Sequence, residues 1–171
     1  LEREVSVFEL KPISPDAIPV ALEKAQRYRL LNESAQSESI CHDILRIDPN
    51  NKQALITLIL ALTDQFETGL SPRQAEPWLA RLAEEYDRSY YSGIVAERAG
   101  RAHMKRQGHG FAFDAYECFL EAMSCFERAE KLRRPGDDDA LLRWNACVRT
   151  LRDHSELRPR PEESYEPIVG E

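Results

Sequence analysis

Glycine is scarce in this sequence, with seven in 171 residues. Scarce too is the alternation of β-branched and polar residues that makes a half-buried strand, and the two shortages together argue against a sheet. Long apolar runs are missing. The longest, Leu55 to Leu62, falls well short of the ~20 residues a membrane helix needs and is broken by Thr57. The opening LEREVSVFEL alternates charged with apolar residues and has no signal-peptide core. A cytoplasmic location is therefore expected, with Cys41, Cys118, Cys125 and Cys147 as reduced core residues.

Chemistry-bearing motifs are equally sparse. The cysteines and histidines form no CxxC or HxxxH pair, and the adjacent Cys41 and His42 point about 100° apart on a helix, so no metal site is expected. Gly108 to Gly110 reads GHG but follows a helix, not a strand, which excludes a phosphate-cradling loop. No serine or cysteine stands in a pattern that would supply it with a base. The expectation is a non-enzyme without cofactors. The formal charge of −7 repels phosphate backbones, so nucleic acid is not an expected partner, and neither is a membrane.

What the sequence does have is helix formers. Hydrophobic residues make up 42% of the chain and charged ones 31%, with Ala, Leu, Glu, Arg and Gln dominating long stretches. Ala21, Leu22, Ala25, Tyr28 and Leu31 fall on one helical stripe, and Ile40, Ile44, Leu45 and Ile47 on a second. Ser34 is placed to cap the second helix, which should end at Asp48-Pro49-Asn50-Asn51. A shift of 34 positions carries Leu22 onto Ile56, Ala25 onto Ile59, Tyr28 onto Leu62 and Leu45 onto Leu79. Apolar positions map onto apolar positions at the period of a helix–turn–helix repeat.

The segment RIDPNN (Arg46–Asn51), with Tyr28 lying 21 residues before Pro49, resembles the tetratricopeptide repeat family. CFERAEKLRRP, ending at Pro135, is similar to that family's second-helix pattern of aromatic, small residue, leucine and proline. Ser37 and Ile44 depart from it, standing where small residues, usually alanine, belong. The resemblance implies an all-α fold: a right-handed superhelix of antiparallel helix pairs, an α-solenoid of about three repeats plus a C-terminal capping helix. The expected organisation is an extended lead-in (1–16), repeat units at 18–51, 52–88 and 89–134, a cap helix over 137–153 closing a helical domain of 17–154, and a Pro-rich acidic tail (155–171). Trp78, Leu79, Leu82 and Tyr86 are expected on the second helix of the middle unit, and Asp137 to Asp139 at the start of the cap helix.

In such arrays the first helix of each pair lines a concave groove. The resemblance thus implies a protein or peptide partner held by Leu22, Gln26, Arg29, Gln53, Ile56, Leu60, Thr63, Arg101, Lys105, Asn145 and Arg149. From Arg98 to Gly110 there are four Lys/Arg and no Asp or Glu, which suggests an acidic peptide, and the chain's own acidic tail as a competitor for that surface. Two other readings stay open. One is a self-associating structural protein, a homodimer formed through an exposed edge helix or the aromatic patch around Tyr90 and Tyr91. The other is an enzyme or small-ligand-binding helical domain.

Overall fold

The computed structural model describes residues 8–108 and 110–161. The parts of the lead-in and tail at 1–7 and 162–171 lie outside the described residues. The chain is all-α. Among the described residues seven α-helices are formed: α1 (Ile18–Leu30), α2 (Ser34–Ile47), α3 (Lys52–Thr63), α4 (Glu76–Leu79), α5 (Glu85–Lys105), α6 (Phe111–Leu132) and α7 (Asp139–Asp153). Chain neighbours pack antiparallel, α1 on α2, α2 on α3, α5 on α6 and α6 on α7.

Local chemistry sets most boundaries. Pro19 sits in the first turn of α1, where its missing N–H is not needed. That helix ends in a Schellman turn. Asn32 takes φ of 60°, the Glu33 amide donates to the Tyr28 carbonyl at 2.9 Å, and the Asn32 amide to that of Arg29 at 3.0 Å. Asn51 caps α3, its side-chain oxygen accepting from the Ala54 amide at 3.0 Å while its amide group donates to Asp48 at 3.1 Å. Ser34 is not the cap expected of it. It is the first residue of α2, and its hydroxyl donates across to Asp64. At α7 the Asp137 carboxylate accepts from the Asp139 amide at 3.2 Å.

The middle of the chain departs furthest from the repeat pattern. After α3 come two short 3-10 turns, Phe66–Thr68 and Pro72–Ala75, and then α4 with only four residues. Trp78 and Leu79 lie on α4, but Leu82 follows in the turn and Tyr86 belongs to α5. The break is held by Arg88, whose guanidinium donates to the carbonyls of Leu82 and Ala83, both at 2.7 Å. Burial of Leu82 at 2% exposure anchors the same turn.

Two apolar clusters make the core, and α5 is the wall between them. Ala25, Ile44, Leu58, Ile59, Phe66 and Leu82 pack with Val95, Ala99 and Ala102 of α5. On its other side, Ile94 and Ala96 meet Phe119, Phe126, Ala140, Cys147 and Leu157. The α5–α6 seam is close because α5 presents glycine there: a Cβ on Gly93 would lie 2.5 Å from Phe126, and one on Gly100 3.1 Å from Phe119. Leu157 draws the start of the expected tail into the second cluster. Arg160 extends that contact by pairing with Asp114 at 2.8 Å and lying 5.5 Å from the Phe113 ring centroid.

Candidate functional site

The ends of α1 and α3 and the middle of α5 meet around one carboxylate. Thr63 closes α3 by donating its hydroxyl to the Leu60 carbonyl at 2.7 Å, and Asp64 follows. Arg29 of α1 clasps Asp64 with two bonds, from Nε at 2.7 Å and from a terminal nitrogen at 3.2 Å. Arg98 of α5 donates at 2.8 Å to Oδ1, the oxygen that also takes the longer Arg29 bond, and Ser34 donates to Oδ2 at 3.1 Å. Burial opposes ionisation of Asp64, but the hydrogen bond and charge of Arg29 and the charge of Arg98 outweigh it. Its pKa therefore lies below the ordinary carboxylate value.

Next to this hub lies a second carboxylate. Glu97, 1% exposed, accepts from Arg101 at 3.0 and 3.1 Å and from Arg143 of α7 at 3.4 Å. Burying this acid is costly unless it is paired; Arg101 and Arg143, both still partly in water, supply the pairing, and Arg143 ties α7 to α5. Beside Asp64 opens a cavity of about 280 Å³. It is lined by Arg29, Leu30 and Asn32 from the end of α1, Ser34, Thr63, Asp64 and Glu67 from the neighbouring turns, and Arg98 and Arg101 from α5. Leu30, 85% exposed, stands at its rim. A guanidinium carries five N–H donors, so Arg29 and Arg101 each keep several after binding their carboxylates.

Of the groove residues expected from sequence, Arg29, Thr63 and Arg101 come together here. Lys105 joins the edge by pairing with Glu67 at 2.5 Å. Thr63 is buried at 3%, so it serves as wall and helix cap. Leu22 and Ile56 are half-buried against the first apolar cluster, and Leu60 against the second. Gln26 and Gln53 are exposed away from the cavity lining, as is Arg149 on α7. Asn145 lies elsewhere, in a cleft between α6 and α7 beside Trp144. Tyr90 and Tyr91 are half-buried, with Tyr90 stacked on Tyr86 at 5.9 Å and tilted against Phe126 at 5.9 Å.

The basic stretch is less basic in space than in sequence. Arg98 is matched by Asp64, Arg101 by Glu97 and Lys105 by Glu67. Asp64 and Glu67 were invisible to a reading that followed one helix at a time. One signal would have found Asp64. Arg29 and Arg98 stand 35 and 34 positions from it, the interval at which the apolar stripe recurs. Compared with known proteins, the chain matches no family model, no curated protein and no solved structure.

Proposed function

We propose that this chain is a non-catalytic protein-interaction module that holds a peptide or protein segment in the arginine-lined cavity. On this reading the helices form a right-handed superhelix of tetratricopeptide-like pairs, with α1, α3 and α5 as the first helix of each. The observation that carries the proposal is the Arg29–Asp64–Arg98 bridge. It joins α1, the end of α3 and α5 at the interval of the sequence repeat, and it opens a polar cavity at the junction. Arginines locked to carboxylates are fixed in place, which suits recognition of a planar acceptor such as a carboxylate or peptide carbonyl. Leu30 supplies an apolar contact at the rim.

The cavity's own charges limit how an acidic segment is bound. Three arginines against Asp64 and Glu67 leave an excess of one positive charge. Attraction at long range is therefore small, and selectivity rests on the unspent N–H donors. The test places a photo-crosslinking residue at Leu30 and, as control, at Val20, also exposed on α1 at 60%. A partner peptide captured from Leu30 and absent from Val20 supports the reading. Equal capture at both, or none at Leu30, refutes it.

A further inference from the structure

The chain's two tryptophans, Trp78 and Trp144, meet opposite surroundings. The Trp78 ring already has a cation, with the Arg81 guanidinium carbon 5.2 Å from its centroid, and His42 meets it edge-on at 5.3 Å. Trp144 on α7 is half-buried and, among the described residues, has no cation over its ring. Its indole N–H donates to Glu127 of α6 at 3.3 Å. Together with Leu141, Asn145 and Glu130 these two residues line a cleft of about 270 Å³ along the α6–α7 seam.

The charge in this cleft is one-sided. Glu130 is shared with Arg133 at 3.2 Å, whereas Glu127 has no ion-pair partner among the described residues. An indole flanked by two carboxylates, with Leu141 as an aliphatic wall, matches one side chain closely. A guanidinium is flat, weakly hydrated, stacks on aromatic rings and forks onto carboxylates. Fixing the indole edge through Glu127 leaves the ring's π-system as the attractive surface for it. We propose that the Trp144 cleft takes an arginine side chain of a partner protein. This surface is separate from the arginine-lined cavity, and its chemistry is the reverse. Both the local carboxylates and the overall charge of −7 favour a basic partner segment.

The test follows the two indole N–H signals by NMR during titration of the folded chain with N-acetyl-arginine amide. The neutral isostere, N-acetyl-citrulline amide, is titrated in parallel. The Trp144 signal is expected to shift saturably, with arginine bound at least about tenfold more tightly than citrulline, while Trp78 stays in place. Glu127→Gln keeps an acceptor for the indole and should narrow the gap between the two ligands, as should Glu130→Gln, with the double substitution narrowing it most. Equal binding of arginine and citrulline to the unaltered chain overturns the proposal. So does a non-saturating response, or a Trp78 shift as large as that of Trp144.

Discussion

Gly93→Ala asks whether α5 and α6 are as close as they stand. In a helix interior alanine is favoured over glycine by about 1 kcal/mol, so an open site would gain stability. Here the added Cβ would lie 2.5, 2.7 and 2.9 Å from three carbons of the Phe126 ring. Ordinary carbon contacts are about 3.5–4.0 Å, so the ring or the helix must move by about 1 Å. The ring has little room, being fully buried with Tyr90 5.9 Å away. Overpacking of this kind costs about 1–3 kcal/mol, and a cost at the upper end leaves a net loss of about 2 kcal/mol. For a chain of this size that lowers the unfolding midpoint by about 4–8 °C, read by circular dichroism. Gly100→Ala is the control. Its Cβ would meet Phe119 at 3.1 Å, a gap closed by a few tenths of an ångström, so its change should stay within about 1 kcal/mol. Adding Phe126→Leu to Gly93→Ala should recover part of the loss, giving a coupling of about 1 kcal/mol in the double-mutant cycle. A Gly93→Ala chain as stable as the original would refute the close seam.

Three further outcomes are expected. Ser37 is fully buried and its hydroxyl has no hydrogen-bond partner among the described residues, so Ser37→Ala should raise the urea midpoint by an amount worth about 1 kcal/mol at unchanged slope. A lower midpoint would mean that the hydroxyl is satisfied after all, by the Cys41 thiol one turn on. Asp64 has a depressed pKa, so its contribution is complete above its ordinary value of 3.8 and is lost as the pH falls through the lower folded-state value. Asp64→Asn should cost about 2 kcal/mol near neutrality and flatten the acid limb of the stability profile; an unchanged acid limb would exclude the clasp by Arg29 and Arg98. Burial pushes the Cys41 and Cys147 thiols up to about 12 and that of Cys118 up to about 11. Thiol reagents at pH 8 should therefore label the folded chain about a hundredfold or more slowly than the unfolded one, with half-buried Cys118 first. Labelling at the unfolded rate would contradict the packing.

Helix ends were legible wherever the sequence carries punctuation. Asp48-Pro49 ends α2, Asn51 opens α3, and Pro135-Gly136 separates α6 from α7. The break between α4 and α5 has no such mark. The stretch ARLAEE is made of good helix formers, yet the chain turns there, because burying Leu82 and anchoring its carbonyls on Arg88 decide the path. Tertiary contacts overrule propensity where the local sequence is neutral, and this is why Tyr86 lies on α5 and not on the helix of Trp78 and Leu79. Ser34 shows the same competition at a single side chain. It stands inside the first turn of α2, not before it, and its hydroxyl proton goes to the Asp64 carboxylate held by two arginines.

The site was half legible for a related reason. Arg29 and Arg101 could be picked out as polar residues left over from the buried stripe, since that needs only the helical period. Their partners could not, because pairing runs between helices. Arg29 to Asp64 spans 35 positions and Arg143 to Glu97 spans 46, beyond any window that reads one helix. Charge counted along the chain therefore overstated the basic character of Arg98 to Lys105. Charge counted across the 34-position interval of the apolar stripe would have corrected it, since Arg98 reaches Asp64 at 34 positions. The rule that located the apolar stripe thus applies to charges as well. Arg29 and Arg98 both reach Asp64 across that interval, and an arginine held by an acid in this way is part of the frame before it can serve a partner.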